Sequence, residues 1–285
     1  MVTRSASDRL LDALGAFDQD HPSLTLTQLA TRADLPLPTA HRIVGALSHW
    51  GALERDEAGN YHVGLRLWEI AALAPRGLGL RQAALPFLED LYESTHENVH
   101  LAVRDGREVV YIERLSGRSA VGVHSRVGAR WPLHATGVGL VLLAHGGRDL
   151  QDRYPEGGLD AFTPYTVTDA VRLRRMLAEV RRGGVAVSDR QITDDALSVA
   201  APVRGPRGDV VAAVSVVVPV EGARTPALIP AVQLAGRGIS RALGWQPVSA
   251  VPRLRPRLPS DGSGVVGLWS SSPLWSVTRG DGAAR

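Results

Sequence analysis

The sequence predicts an α+β protein that begins with a winged helix-turn-helix. Apolar residues recur at helical spacing in three short segments between residues 8 and 50. The segment that follows, 52–64, has the composition of two short strands around a turn at 58–60. From about residue 99 onward, alternating strand patterns are mixed with helical ones, which is typical of an α+β domain. We therefore expect two domains of different architecture.

The composition fits this expectation and excludes several classes of chemistry. The chain has 285 residues, more than one typical domain of roughly 100–200 residues. It contains no cysteine, and all 32 of its basic residues are arginine, so disulfides, thiol nucleophiles and lysine Schiff bases are excluded. Its apolar runs are too short to span a bilayer, and residues 1–8 lack the apolar core of a signal peptide. We expect a cytoplasmic protein with no membrane partner and no cofactor.

The first three helices are predicted at 8–17, from Thr25 to about Ala33, and at 38–50. Thr25 and Gln28 form a capping box that starts the second helix, and Leu24 can pack against Leu29 as a hydrophobic staple. The connection to the third helix is tight because proline disfavours helical geometry in the residue before it. The third helix should stop at Gly51.

The third predicted helix divides into an apolar stripe and a polar face. At 100° per residue, the apolar residues Ala40, Ile43, Val44 and Leu47 share one side. The opposite side carries Pro38, His41, Arg42, Gly45 and His49. No acidic residue lies between Leu35 and Leu53, although residues 1–70 hold nine acidic residues against six arginines.

This distribution predicts a helix that enters a groove of DNA. Such a helix must keep carboxylates off its exposed face because the groove is lined by phosphates. An arginine such as Arg42 can donate two hydrogen bonds to a guanine edge. The predicted DNA contacts are Thr25, Thr27, Pro38, Thr39, His41, Arg42 and Gly45, with Arg55 and Tyr61 in the wing.

The second half of the chain is predicted to be a mixed sheet with helices. Residues 68–80 form a helical linker broken at 75–79, and a helix follows over 80–95. Strands are expected at 99–103, 109–112, 120–124, 184–188, 197–203 and 210–218, and helices at 137–145, 169–182 and 227–243. The predicted domains are 1–67 and 81–245. Residues 246–285 are rich in Pro, Gly, Ser and Arg and are predicted to be mostly disordered.

Several segments in this order resemble the IclR family of bacterial transcriptional regulators. They are LTLTQLATRADLPLPTAHRIVGALSHWGALERDEAGNYHVGLRL (24–67), VHLAVRDGREVVYIERL (99–115), RVGARWPLHATGVGLVLLA (126–144), VRRGGVAVSDRQ (180–191) and SVAAPVRGPRGDVVAAVSVVVP (198–219). The resemblance implies a GAF-like effector-binding domain after the winged helix. It also implies a homodimer or dimer of dimers on palindromic operator DNA, more often a repressor, that responds to a small organic or aromatic acid.

The resemblance also places an effector site. Gly137 and Val138 would contact the effector through their backbone, because free N–H groups at a helix start bind carboxylates. The other positions that it implies are Val121, Val123, Ser188, Asp189, Ser198, Ser215 and Val217. Many relatives carry a hydroxyl where this chain has Val217, which implies an effector less polar than a two-carbon keto acid.

Parts of the sequence also fit two other functions. The segment His96-Glu97-Asn98-Val99-His100 matches the H-E-x-x-H pattern of zinc hydrolases. That chemistry needs both histidines on one face of a continuous helix, whereas this segment spans the end of a predicted helix and the start of a strand. A ligand sensor that does not contact DNA is the third alternative, supported only by the net negative charge of residues 1–70.

Overall fold

The N-terminal part of the molecule is a three-helix unit with a small antiparallel sheet. The structure, a computed structural model, describes residues 4–74, 77–117, 121–122 and 125–246. Its first elements are α1 (Ala6–Gly15), β1 (Ser23–Leu24), α2 (Leu26–Arg32), α3 (Leu37–Trp50), β2 (Leu53–Arg55) and β3 (Tyr61–Val63). The strands pair in the order β1-β3-β2. The predicted winged helix-turn-helix is confirmed, and β1 is an additional strand that the sequence pattern did not reveal.

Local capping defines the ends of these helices. The Thr25 hydroxyl accepts from the amide of Gln28, and the Gln28 side chain accepts from the amide of Thr25, which is the predicted capping box. Helix α3 ends at Trp50 and is capped by Gly51, whose φ of 88° lies in the left-handed region that favours glycine. Leu24 and Leu29 are both buried in the core that these helices share.

The C-terminal part is a six-stranded antiparallel sheet between two pairs of helices. After α4 (Leu65–Ala71) come α5 (Leu78–Thr95), β4 (Asn98–Asp105), β5 (Glu108–Leu115), β6 (Arg130–Pro132), α6 (Gly137–Ala144) and α7 (Arg148–Arg153). A short 3-10 turn, Tyr154–Gly157, leads to α8 (Ala170–Gly183), β7 (Ala186–Asp189), β8 (Ala196–Arg204), β9 (Val210–Pro219) and α9 (Thr225–Ala242). Within the described residues the strand order is β6-β5-β4-β9-β8-β7.

The two faces of this sheet carry two separate cores. Alternate residues of β4, including Val99 and Leu101, pack with α5 and α9 on one face. Residues that face the other way, including Ala102 of β4 and Ala213 of β9, pack with α6 and α8 on the other face. All eight residues of α6 are buried, so this helix lies inside the domain and not on its surface. The predicted α+β class is confirmed.

Several predicted boundaries differ from the structure. The predicted strand 120–124 is not seen at 121–122, and its other residues lie outside the described part of the chain. The predicted break in the helical linker, 75–79, extends too far toward the C-terminus, because α5 begins at Leu78 and includes Gly79. Helix α8 extends to Gly183, and its C-cap is Gly184 with φ 65°, one residue later than the Arg-Arg-Gly pattern indicated. The predicted tail, from residue 247 on, lies outside the described residues.

Candidate nucleic-acid interface and ligand pocket

Helix α3 presents the predicted polar face to solvent. Its apolar residues Ala40, Ile43, Val44 and Leu47 are buried, as predicted. Pro38, His41, Arg42, Gly45 and His49 are exposed, and Thr39 is half-buried. Arg42 makes no hydrogen bond or ion pair with any residue that the structure describes. Its guanidinium is therefore available to an external acceptor.

The other predicted contacts lie at the start of α2 and in the wing. Thr25 and Thr27 are exposed, and the Thr25 side chain is occupied by the capping box. In the wing, the Arg55 guanidinium lies 5.5 Å from the centre of the Tyr61 ring and donates to the carbonyl of Gly59. Arg55 thus holds the hairpin turn together while remaining exposed. Contact of these residues with DNA stays a prediction.

A pocket opens on the α6 face of the larger sheet, where polar side chains interrupt the core. Two cross-strand rows of the sheet lie at this pocket, and Ser188, Ser198, Ser215 and Val217 from these rows form its floor. One row runs His100, Ser215, Ala200, and the next runs Asn98, Val217, Ser198, Ser188. The pocket comprises about 530 Å³ of space between atoms, a volume that includes open solvent at its mouth. Within the described residues its lining is His100, Tyr111, Ser125, Trp131, Ala135, Thr136, Gly137, Val138, Ser188, Gln191, Ile192, Thr193, Ala196, Ser198, Ser215 and Val217.

The N-terminus of α6 lies at this pocket, since Thr136, Gly137 and Val138 are among its lining residues. The Thr136 hydroxyl accepts from the amide of Gly139 at 3.0 Å, and the Thr136 carbonyl accepts from Leu140 at 2.8 Å. The amides of Gly137 and Val138 precede the first intrahelical hydrogen bond and have no partner within the helix. A Cβ on Gly137 would lie 2.6 Å from the Ser198 hydroxyl, so only glycine allows this close approach. The arrangement suits a carboxylate.

The opposite wall of the pocket is a buried histidine. Nε2 of His100 shares a hydrogen bond with the Ser125 hydroxyl at 2.8 Å, and its ring meets Tyr111 edge-on with centroids 5.1 Å apart. Burial, together with the nearby charge of Arg114, lowers the pKa of His100 to about 3. Burial raises the pKa of Tyr111 above its ordinary value. None of the described lining residues therefore carries a formal charge at neutral pH.

The structure brings together most of the predicted effector residues. Gly137, Val138, Ser188, Ser198, Ser215 and Val217 all line the pocket. Asp189 does not: its carboxylate is exposed and forms an ion pair with the Arg190 side chain. Val121 does not line it either, and its carbonyl accepts from the Asn98 side chain at 2.8 Å. Val123 lies outside the described residues.

Sequence reasoning missed the aromatic and histidine walls. His100, Tyr111 and Trp131 line the pocket although none was predicted to. A signal was present for His100, because Val99, Leu101 and Val103 alternate on one face of β4 and leave His100 on the other. Trp131 had no such signal, since its place depends on β6 pairing with β5 and on its contact with Phe162, whose ring centroid lies 5.5 Å away.

The H-E-x-x-H segment is divided between two elements, as predicted. Helix α5 ends at Thr95, His96 has φ 56° at the helix end, and His100 lies within β4. Among the described residues there is no group of three or more His, Asp or Glu that could hold a metal ion. The described helices include none that is long and apolar enough to cross a membrane.

Comparison with known protein families gives two matches. The family described as "Bacterial transcriptional regulator IclR C-terminal" matches residues 73–241, and the "IclR helix-turn-helix domain" matches residues 6–57. The larger match covers more than half of the chain. These matches take in both α3 and the pocket.

Individual relatives agree with the family matches. The HTH-type transcriptional regulator XynR of Escherichia coli is 32% identical over 243 residues, 84% of this chain and 96% of its own. The HTH-type transcriptional repressor AllR of Klebsiella pneumoniae is 29% identical over 247 residues, 85% of this chain and 91% of its own. These relatives are regulators and not enzymes, and neither of them supports a zinc hydrolase.

One similar solved structure contains a bound small molecule. An IclR homolog from Microbacterium hydrocarbonoxydans, complexed with 4-hydroxybenzoate, superposes with a TM-score of 0.79 at 38% identity. The similarity covers 84% of this chain and 99% of that one. The described fold is therefore shared along nearly the whole length of that protein.

Proposed function

Because this chain belongs to the IclR family of bacterial transcriptional regulators, we propose that it binds operator DNA, represses transcription and responds to a small ligand. The observation that carries the proposal is the exposed, acid-free face of α3, with Arg42 at its centre and without a partner among the described residues. An arginine on such a face can read a guanine edge, while Pro38, Thr39 and His41 meet bases or phosphates. Repression is supported by the relative described as a transcriptional repressor.

The effector in this proposal is an aromatic carboxylic acid. Its carboxylate binds the free amides of Gly137 and Val138, and its ring packs between Trp131 and Val217. Because the described lining carries no cation, N–H dipoles and hydroxyl groups must stabilise the negative charge. The homologous structure that holds 4-hydroxybenzoate supports this class of ligand. The apolar Val217 supports an aromatic ligand over a two-carbon keto acid.

The proposed functional unit is a homodimer or a dimer of dimers. Helix α4 has no buried residue, and the apolar side chains of Leu65, Trp68, Ile70 and Leu73 are all more than half exposed in the single chain. Large apolar groups that stay exposed in this way favour burial against another protein surface. A two-fold dimer would present two α3 helices to the half-sites of a palindromic operator.

Titration of the protein with its own upstream DNA tests the DNA-binding part of the proposal. We expect sequence-selective binding that Arg42→Ala weakens by about 1–3 kcal/mol, roughly 5- to 150-fold, because one bidentate base contact is lost. Arg174→Ala is the matched control, since Arg174 is also exposed on a helix but lies on α8. Equal affinity of Arg42→Ala and wild type, or binding without sequence preference, would contradict the proposal.

Calorimetry with 4-hydroxybenzoate and glyoxylate tests the effector class. We expect 4-hydroxybenzoate to bind and to weaken the operator complex, and glyoxylate to bind at least tenfold less tightly. Tighter binding of glyoxylate would show that the pocket selects a small polar acid instead.

A further inference from the structure

A five-residue segment, Ser125–Ala129, connects the pocket to the N-terminal domain; we call it the coupling segment. Both of its ends are attached to residues that line the pocket. At one end, the Ser125 hydroxyl is hydrogen-bonded to His100. At the other, the amide of Gly128 donates to the carbonyl of Tyr111 at 2.8 Å, and the amide of Tyr111 donates to the carbonyl of Ala129 at 3.1 Å. A change in the pocket walls therefore reaches this segment directly.

The middle of the coupling segment contacts the winged helix unit. A guanidinium nitrogen of Arg126 lies 2.5 Å from a carboxylate oxygen of Asp20. The next residue, Val127, accepts a hydrogen bond at its carbonyl from the Gln19 side chain. These two contacts join consecutive residues on one side to consecutive residues on the other, so they hold orientation as well as distance.

The contacted loop, residues 18–21, is in turn tied to the helix-turn-helix. One carboxylate oxygen of Asp18 accepts from the amides of Asp20 at 2.9 Å and His21 at 2.7 Å. The other oxygen accepts from the Arg32 side chain at the end of α2. Helix α2 packs on α3 through the shared core that includes Leu29 and Val44. A continuous series of contacts thus runs from His100 to α3.

We propose that the coupling segment transmits effector binding to the DNA-binding domain within one subunit. This rests on the proposed function. An effector that competes with Ser125 for His100, or that moves Tyr111, would change how Arg126 and Val127 hold the loop that carries Asp20. The domains would then have two arrangements, one favoured without the effector and one favoured with it. The effector alters operator affinity because it binds these two arrangements with unequal affinity.

The size of the expected effect follows from exposure. The side chains of Arg126 and Asp20 are 49% and 69% exposed. An exposed ion pair changes the equilibrium constant between two arrangements of the domains by at most about fivefold. The contact therefore adjusts the orientation of an already folded domain and does not hold the fold together.

The first experiment needs neither effector nor DNA. Hydrogen exchange at the amides of Asp20 and His21 is compared in wild type, Ser125→Ala and Ser198→Ala. We expect exchange to be at least threefold faster in Ser125→Ala, because the segment loses its attachment to His100. Ser198→Ala makes the same chemical change in the pocket floor, away from the segment, and should exchange like wild type. Unchanged exchange in Ser125→Ala, or equal acceleration in both variants, overturns the proposal.

The second experiment measures coupling with 4-hydroxybenzoate as the probe. The ratio of operator Kd with and without this ligand should fall three- to fivefold in Arg126→Ala and Asp20→Ala, although both still bind the ligand. Arg130→Ala is the matched control, because Arg130 is 48% exposed and pairs with Asp105 and Glu108 inside its own domain. A wild-type ratio in Arg126→Ala overturns the proposal. If 4-hydroxybenzoate does not bind wild type, the proposed effector is wrong, and the exchange experiment alone decides on the coupling segment.

Discussion

His100 and Ser125 share a 2.8 Å hydrogen bond inside the domain, with His100 2% and Ser125 6% exposed. The bond joins a central strand of the sheet to a segment that leaves the pocket toward the winged helix. Because burial keeps the imidazole uncharged, either partner can exchange this bond for one to a neutral ligand group without moving a charge. The polar wall of the pocket is thus adaptable, while its opposite wall, at α6, is fixed backbone.

The depressed pKa of His100 predicts a specific pH dependence of stability. The unfolded chain binds a proton on this residue below pH 6.5, whereas the folded protein does so only below about pH 3. Stability is therefore fully present above pH 6.5 and falls as the pH drops, by about 2–3 kcal/mol at pH 4.5. The free energy of unfolding, measured with urea, should fall between pH 7 and pH 4.5 by about 2–3 kcal/mol less in His100→Gln than in wild type. The same pH dependence in both proteins would show that His100 is not held neutral.

Gly45 should affect folding and DNA binding in opposite directions. It lies on the exposed face of α3, and an added Cβ would meet no atom within 4 Å. Gly45→Ala should raise the free energy of unfolding by about 1 kcal/mol, because alanine favours a helix. The methyl group would also stand between helix and groove, so operator binding should weaken at least threefold. Gly79→Ala, in α5 and also without neighbours, should leave operator Kd unchanged. Unaltered operator binding by Gly45→Ala would argue against close approach at this position.

Gly137 is a position where a single methyl group should disturb the pocket. Its added Cβ would lie 2.6 Å from the Ser198 hydroxyl and 3.4 Å from the Cβ of Ala200. Gly137→Ala should lower the free energy of unfolding by about 1–3 kcal/mol through overpacking and abolish detectable binding of 4-hydroxybenzoate. Adding Ser198→Ala removes the nearest atom and should restore part of the stability in thermal unfolding. If the double variant is no more stable than Gly137→Ala, the close approach to Ser198 is not the cause.

Thr25 allows its capping role to be separated from its proposed DNA contact. Thr25→Ala removes the side-chain half of the capping box and should lower the free energy of unfolding by about 1 kcal/mol. Thr25→Ser keeps the hydroxyl and should unfold like wild type. Chemical denaturation of the two variants, followed by operator titration, measures both effects. Equal destabilisation by alanine and serine would mean that the methyl group of Thr25, and not its cap, is what matters.

Local rules were sufficient for the helices of the N-terminal unit. The capping box at Thr25, the stop at Gly51 and the apolar period of α3 each act within a few residues, so they can be read along the chain. Strand β1 was missed because two residues, Ser23 and Leu24, give no period. It exists only because β3 offers His62 and Tyr61 as pairing partners.

The pocket shows the opposite case. Ser188, Ser198 and Val217 were expected to lie together from family resemblance, and the register of β7, β8 and β9 sets them side by side. Asp189 follows Ser188 directly but points away, since successive strand residues face opposite sides of a sheet.

By itself, the sequence determined the two-domain α+β organisation, the exposed face of α3 and the absence of thiol and lysine chemistry, because these depend on residue type and short-range periodicity. The tertiary structure alone decided that His100 meets Ser125, that Trp131 reaches the pocket and that Arg126 meets Asp20. His100 and Ser125, like Arg126 and Asp20, are separated by 25 residues or more along the chain, and the place of Trp131 depends on how its strand aligns with β5. The pattern of apolar residues along the sequence fixes neither long-range pairing nor the register between distant strands.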